Sequence, residues 1–255
     1  MAMLSGKKIL VCGVANERSI AWGIAEALHR EGAELAFTYV NEAIEKRVRP
    51  LAESLNCKTV LPCDVQSDAD LDNLFSELES RWGTLDGIVH SLAFAEREDL
   101  GRPFSKTSRE GFRLALDVSA YSLIAMAGRA EALMKNGGSI LTMTYLGSQR
   151  VVSNYNIMGV AKAALESSVR YLAADLGAKH IRVNAISAGP IKTLAASGIP
   201  HFRELLASFA ERAPLKRNVS QEDVAQASLF YLSPMSNGIS GEITYVDCGF
   251  NILGV

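Results

Sequence analysis

Short apolar runs that alternate with longer amphipathic stretches set the strongest limit on what this chain can fold into. The runs are Lys8–Cys12, Glu34–Tyr39, Thr59–Pro62, Gly87–His90, Ser139–Thr144, Ile181–Ile186 and Glu242–Val246. Between them, helical periodicity marks Ser19–Glu31, Asn41–Asn56, Ser67–Arg81, Ser119–Met134, Tyr155–Leu176, His201–Arg212 and Ser220–Leu232. A run such as Ile9-Leu10-Val11-Cys12 has no polar face, so a strand there must be covered on both sides, as in a parallel sheet between two layers of helices. The alternation predicts an α/β fold, doubly wound, with a seven-stranded parallel sheet flanked by helices on both faces and right-handed crossovers. No composition break or internal repeat interrupts residues 1–255, so one domain is expected.

Two stretches lack regular pattern, Ser91–Thr107 after the fourth strand and Ser187–Pro200 after the sixth. Both leave the carboxyl ends of strands, where open α/β sheets bind ligands. Loops of this length in a compact domain are usually functional.

Charge and composition exclude several classes. Net charge is −2, with 26 basic and 28 acidic side chains and no basic stripe, so no nucleic acid is expected as a partner. No uninterrupted apolar stretch reaches the roughly 18 residues of a membrane span. The N-terminus runs from Met1 straight into the first strand, and no leader is expected. Cys12, Cys57, Cys63 and Cys248 lack metal-ligand spacing and read as small buried hydrophobes, consistent with a reducing cytoplasm. His29, His90, His180 and His201 also lack ligand spacing, and no metal site is expected.

The loop after the first strand, Gly13-Val-Ala-Asn-Glu-Arg-Ser19-Ile20-Ala-Trp-Gly23, suits a dinucleotide of the kind bound by Rossmann-type sheets. Gly13 permits a sharp turn, Ser19 is placed to cap the next helix with its hydroxyl toward a phosphate, and helix N-terminal amides attract pyrophosphate. Gly23 is expected to let that helix pack closely on the strand. This is not a GxGxxG, and alone it is a weak signal. Three others lie at the same sheet edge: Asp64-Val65, placed for an adenine amino group; Ser91-Leu92-Ala93, small where a ribose passes; and Ser187–Thr193, with free backbone groups for a nicotinamide carboxamide. The second strand ends Phe37-Thr-Tyr-Val40-Asn-Glu42, with neither an acidic residue for a ribose 2′-hydroxyl nor a base for a 2′-phosphate at its tip. Lys46 and Arg47 come at least a turn later, so NADH is favoured over NADPH.

Tyr155 and Lys162 stand seven residues apart at the start of the helix expected over Tyr155–Leu176. That is almost two turns, so they share a face about 10 Å apart along the axis. A phenol beside an ammonium is a proton donor and an anion stabiliser.

Together, the segments Gly13–Gly23, Tyr145-Leu-Gly, Asn154–Lys162, Arg182–Ile191 and Thr193–Gly198 resemble the short-chain dehydrogenase/reductase superfamily over essentially the full length. Within it, they are similar to the bacterial enoyl-acyl-carrier-protein reductases of the FabI type. Most of the superfamily carries Tyr-x-x-x-Lys with a serine thirteen residues before the tyrosine. Here Met158 stands four before Lys162, and Thr142 stands thirteen before Tyr155. A carbonyl reductase donates a proton to oxygen on the carbon that receives hydride. An enoyl reductase delivers hydride to Cβ, two carbons from the thioester oxygen, so its phenol must come from elsewhere. Three residues along a helix shift the origin of the side chain by about 4.5 Å.

The resemblance implies NADH-dependent reduction of the trans-2 double bond of enoyl thioesters on acyl carrier protein, in fatty acid elongation. It implies catalytic roles for Tyr145, Tyr155 and Lys162, the last also holding the nicotinamide ribose. Tyr145 is placed to line the acyl pocket or bond to the thioester; an aromatic strand cap is the plainer alternative. The implied cofactor set is Gly13, Ser19, Ile20, Val40, Asp64, Val65, Leu92, Lys162, Ile191, Lys192, Thr193, Leu194 and Ala195, with backbone atoms of Ala95 touching substrate. Residues 191–212 are expected to form a substrate loop, with Leu194 and Ile199 over the acyl chain. The resemblance also implies a homotetramer, to which the apolar ending Gly249–Val255 lends support. An acidic carrier protein would meet Lys192 or Arg203. Two other readings stay open, a carbonyl or ketoacyl reductase and a non-catalytic dinucleotide sensor on the same fold.

Overall fold

The computed structural model describes residues 2–194, 196 and 202–254. Seven parallel strands form one sheet in the order β3-β2-β1-β4-β5-β6-β7. They are β1 Lys8–Cys12, β2 Glu34–Tyr39, β3 Thr59–Pro62, β4 Gly87–His90, β5 Gly138–Thr144, β6 Ile181–Ala188 and β7 Ile243–Val246. The helices between them are α1 Ile20–Arg30, α2 Glu42–Ser54, α3 Asp68–Trp82, α4 Arg97–Gly101, α5 Arg109–Leu116, α6 Ser122–Ala130, α7 Asn156–Leu176, α8 Phe202–Arg212 and α9 Gln221–Leu232.

The fully apolar strands serve two cores, one on each side of the sheet. Ile9 and Val11 point into a cluster with Trp22, Ile24, Leu28 and Phe37, while Leu10 and Cys12 point the other way, onto Leu71, Leu74, Leu78, Leu123 and Leu165. This is the two-residue alternation of a strand with helices on both faces. All four cysteines are buried free thiols, and burial pushes those of Cys12 and Cys63 up to about 12. No helix among the described residues is long and apolar enough to cross a membrane.

Most elements agree with the sequence expectation to within a residue or two, α7 beginning at Asn156 just after Tyr155; three departures are larger or bear on the site. The helix expected over Ser119–Met134 begins ten residues earlier: α5 starts at Arg109, where the Ser108 hydroxyl accepts the Gly111 amide. It then runs through a wide turn, Asp117–Tyr121, into α6. Charged residues such as Glu110 and Arg113 obscure the apolar stripe of α5 in the sequence. The wide turn coincides with Ser119, whose hydroxyl accepts the Phe94 amide at 3.0 Å and donates to the Phe94 carbonyl at 3.2 Å. Second, the stretch Ser91–Thr107 contains α4 and a 3₁₀ turn at Phe104–Lys106. Third, β6 extends to Ala188 because Ser187 and Ala188 still pair with Tyr245 and Val246 of β7. The helix expected from His201 is observed from Phe202; His201 lies outside the described residues.

Candidate active site

In the order β3-β2-β1-β4 the chain reverses direction of winding between β1 and β4, and a crevice opens at the carboxyl ends of those strands. There a cavity of about 950 Å³ runs from the end of β2 to α8.

Its floor is made by Gly13, at φ +99°, where a Cβ would stand 2.0 Å from the Ser91 carbonyl oxygen. No other residue fits without separating the β1 and β4 exits. Ser19 is the residue before α1 and its carbonyl accepts the Trp22 and Gly23 amides. Its hydroxyl does not cap the helix as expected; it turns back to accept the amides of Ala15 and Asn16 at 2.9 and 3.2 Å. The serine thus fixes the shape of the 15–19 loop, and the open first turn of α1 is left to the cavity. Gly23 also differs from expectation. A Cβ there would lie 3.0 Å from that of Gln221, so the glycine admits α9 and not the strand. From α9, the Gln221 amide donates to the Ser19 and Glu17 carbonyls.

Toward β2 the cavity is lined by Ile20, Thr38, Tyr39, Val40 and Asn41, with Asp64 and Val65 beyond β3. Asp64 accepts the Gln66 amide at 3.0 Å, which holds the carboxylate at the cavity edge. Two of the three bases on α2 are occupied locally: Lys46 pairs with Glu42 at 2.6 Å and Arg49 pairs with Glu45. Leu92 and Ala95 line the middle, beside Phe94, which is 48% exposed and not a core residue. From the β6 exit come Ile191, Thr193 and Leu194, where the Thr193 hydroxyl accepts the Ala196 amide at 3.0 Å. Lys192 is exposed and does not line the cavity. Ala195 and Ile199 lie outside the described residues. The cavity's size, the glycine floor and the open helix turn at the switch point fit a dinucleotide.

Tyr145, Tyr155 and Lys162 meet at the inner wall. Tyr145 leaves β5 in an extended conformation, and Tyr155 is the residue preceding α7. Their rings meet edge to face, centroids 4.9 Å apart and planes at 71°. Tyr145 is therefore a wall of the Tyr155 site and not simply a strand cap. Gly147 lies beneath them; a Cβ there would come within 2.5 Å of the Tyr155 ring. Burial, then Tyr145 and Glu166, push the Tyr155 phenol well up, and burial followed by Asp247 raises that of Tyr145 to about 12. Both are neutral hydrogen-bond donors at ordinary pH. Lys162 is 5% exposed and its Nζ donates to the Met143 carbonyl at 2.8 Å. Burial lowers its pKa to about 8, against the opposing pull of Glu166.

The positions that carry serine and tyrosine in most of the superfamily are inert here. Thr142 is fully buried and turned to His90, bonding to Nδ1 at 2.9 Å and donating to the His90 carbonyl at 3.0 Å. Met158 faces the cavity with a thioether that has no proton to give, its Sδ 3.9 Å from the Ser119 hydroxyl. His90 also bonds to Ser122, and burial followed by Lys162 lowers its pKa to about 3.

Several residues of the site are not evident from the sequence. Leu100, Leu114, Val118, Val152, Phe202 and Leu205 form an apolar wall beside the tyrosines. The spacings Leu114/Val118 and Phe202/Leu205 are helical and carry the only available hint. Gly147, Glu166 and Asp247 give no signal before the loops are folded.

Strand order, switch-point cavity and a Tyr–Lys pair at the head of α7 define a reductase of the short-chain dehydrogenase/reductase class. Comparison with known proteins takes this further. Residues 13–251 match the family described as Enoyl-(Acyl carrier protein) reductase, and the chain belongs to that family. An enoyl-[acyl-carrier-protein] reductase [NADH] of Rickettsia prowazekii is 52% identical over 252 residues, covering 99% of this chain and 97% of the relative. Among solved structures, the Bacillus cereus enoyl-acyl carrier protein reductase with NADP+ and indole naphthyridinone has a TM-score of 0.98 at 52% identity, covering all of both chains. The Anaplasma phagocytophilum enzyme in complex with NAD has a TM-score of 0.96 at 49% identity, covering 99% of this chain and 97% of that one.

Proposed function

We propose that this chain reduces the trans-2 double bond of enoyl thioesters carried on acyl carrier protein, with NADH as reductant. One observation carries the reading. Among the described residues the only phenols at the inner wall are Tyr145 and Tyr155, while at the positions where a carbonyl reductase keeps its donors Thr142 is engaged by His90 and Met158 has no proton to give. Bound nicotinamide would supply hydride to Cβ, and uptake of a proton at Cα completes the saturation.

The residues of the chain do the rest. Tyr155, kept protonated by burial, donates to the thioester oxygen as negative charge develops there, an interaction strongest in the transition state. Lys162, anchored to the Met143 carbonyl, holds the nicotinamide ribose and adds positive potential. Tyr145 fixes the Tyr155 ring by its edge-on contact. Gly13, Ser19, Ile20, Val40, Asp64, Val65, Leu92, Ile191, Thr193 and Leu194 bind the dinucleotide, and Ala95 meets the substrate. The apolar wall receives the acyl chain, and Leu194, with Phe202 and Leu205 of α8, shields it from water.

NADH is preferred because, among the described residues, no base lines the cavity at the β2 tip, and Lys46 and Arg49 of α2 are paired with acids of their own helix. NADPH is the alternative, given the NADP+ bound to the Bacillus cereus relative. The enzyme is a cytoplasmic homotetramer of single-domain subunits. Its carrier-protein substrate approaches Lys192 or Arg203.

The test compares parent, Tyr155→Phe and Tyr145→Phe on crotonyl and acetoacetyl thioesters, with NADH and NADPH. Tyr155→Phe should lower kcat on the enoyl substrate by about 10²- to 10³-fold, the usual loss of one oxyanion donor. Faster turnover of acetoacetyl than of crotonyl thioester by the parent enzyme would refute the reading.

A further inference from the structure

Glu166 is a buried acid to which the proposed reduction assigns no role. It stands one turn beyond Lys162 on α7, 4% exposed, and one oxygen, Oε1, accepts two hydroxyl protons. The donors are Thr144 at 2.7 Å and Ser148 at 2.6 Å. Two short O–H···O bonds on one oxygen are the pattern of an ionised carboxylate. The donors bracket Tyr145-Leu146-Gly147 on both sides. This is the segment whose first residue packs on Tyr155 and whose third leaves room for its ring.

We propose that Glu166 is a positioning residue for the reduction: its carboxylate clamps both ends of the Tyr145 loop and gives the Lys162 ammonium a buried counter-charge. The inference rests on the enoyl-reductase reading for its kinetic half and not for its electrostatic half. Geometry separates the two roles. The clamp acts through hydroxyls at the end of β5 and at the end of the 3₁₀ turn Leu146–Ser148, so its loss frees the tyrosine edge that holds Tyr155. The counter-charge acts along the helix, because residues four apart share a face.

Other groups around Lys162 do not duplicate that charge. From β4, His90 is neutral near physiological pH, since its pKa is lowered to about 3. Tyr155, at the head of the same helix, and Tyr145, after β5, are phenols raised by burial. Tyr245 of β7 is likewise raised, by burial and then Glu166. Asp247, just after β7, accepts the amides of Gly249 and Asn251 and exerts its influence on Tyr145. Arg150 is committed to the carbonyls of Asn251 and Leu253.

The experiment uses Glu166→Gln, Glu166→Asp, Thr144→Val and Ser148→Ala, each in the parent and in a Lys162→Met background. With crotonyl thioester, Glu166→Gln should lower kcat at least tenfold and move the basic limb of its pH profile to lower pH by about one unit. Thr144→Val and Ser148→Ala should each lower kcat a few-fold and leave that limb in place, since the charge remains. In enzyme without cofactor, the thermal midpoint gives an independent reading. Lys162, lowered from 10.5 to about 8, has lost in the folded state a proton that the unfolded chain still holds, so it adds stability as pH rises through that window. Glu166→Gln should start this rise at lower pH, and the change should vanish when Lys162 is methionine.

An unshifted limb with kcat within twofold of the parent in a folded Glu166→Gln enzyme would overturn the proposal. Should that variant fail to fold, Glu166→Asp takes its place: it should keep the limb and lose kcat through the shortened reach, and a full kcat would equally overturn the clamp. A parent that reduces no enoyl thioester would sink the functional reading, yet leave the cofactor-free midpoint test of Glu166 standing.

Discussion

Replacing Gly147 with alanine offers the sharpest test of how the two tyrosines are arranged. A Cβ at this position would lie 2.5 Å from Cδ1 and 2.9 Å from Cε1 of Tyr155, and 3.4 Å from Cδ1 of Tyr145. Carbon atoms rest about 3.5–4.0 Å apart, so the Tyr155 ring has to retreat by about 1 Å. It cannot do so freely, because the Tyr145 ring stands across it with centroids 4.9 Å apart. Overpacking of this kind costs about 1–3 kcal/mol, which for a chain of this size lowers Tm by roughly 2–12 °C. The kinetic cost should be larger than the loss of stability suggests. A hydroxyl displaced by about 1 Å from a developing charge can cost on the order of 10²-fold in rate.

The assay is kcat/KM on crotonyl thioester below the melting range, with dinucleotide affinity measured by fluorescence. Affinity should stay within about threefold of the parent, since Gly147 does not line the cavity. The same substitution on a Tyr155→Phe background isolates the cause. With no hydroxyl left to misplace, Gly147→Ala should then cost under about threefold, a strongly non-additive pair of the kind expected for residues in contact. If the single variant folds and keeps parental kcat, or if the full loss persists on the phenylalanine background, the reasoning is wrong.

Two further outcomes follow from the buried histidine and the β2 tip. His90 is buried with its pKa lowered to about 3, so the unfolded chain binds a proton that the folded chain refuses between about 3 and 6.5. Its stabilising effect is complete above 6.5 and is lost as pH falls, up to about 2–3 kcal/mol between pH 6.5 and 4.5. Urea unfolding at pH 7 and 4.5 should show that loss in the parent and a flatter dependence in His90→Asn; equal slopes would count against it. Val40→Arg should shift the NADPH/NADH ratio of kcat/KM at least tenfold toward NADPH, because among the described residues no base lines the cavity at that tip. An unchanged ratio would place the ribose elsewhere.

What the sequence reveals and what it hides divide along a physical line. Strands of four to six mostly apolar residues are legible because burial on two faces favours apolar side chains on both, and β1 through β4 carry the expected bounds. The Tyr155–Lys162 pair is legible because helical spacing fixes a shared face before any tertiary contact is made. Contacts between loops are not legible. Gly147 is an ordinary glycine until Tyr155 is laid across it, and Glu166 reads as a solvated helix acid until Thr144 and Ser148 close over it. Ser19 and Gly23 have the residue types expected, yet their partners are the 15–19 loop and α9, which no local pattern specifies. The wide turn at Asp117–Tyr121 was obscured for the same reason, since it coincides with a serine whose partner is the backbone of Phe94.

The displaced tyrosine explains why so many of these hidden contacts gather in one place. A phenol four residues before the lysine would sit inside the first turn of α7, held by the helix itself. Three residues earlier it falls on Tyr155, ahead of the regular helix, where backbone geometry offers less support. A donor that must be placed to within a fraction of an ångström then needs other walls, and the loop after β5 supplies them. Tyr145 meets the ring at its edge, Gly147 opens the space beneath it, and Glu166 ties both ends of the segment to α7. The vacated positions are filled so that neither competes for the substrate oxygen: Met158 has no proton to give, and Thr142 is turned inward to His90. Moving one side chain along a helix therefore requires a coordinated change in a loop, a buried acid and a strand residue, and reversing only the tyrosine position should not recover carbonyl reduction.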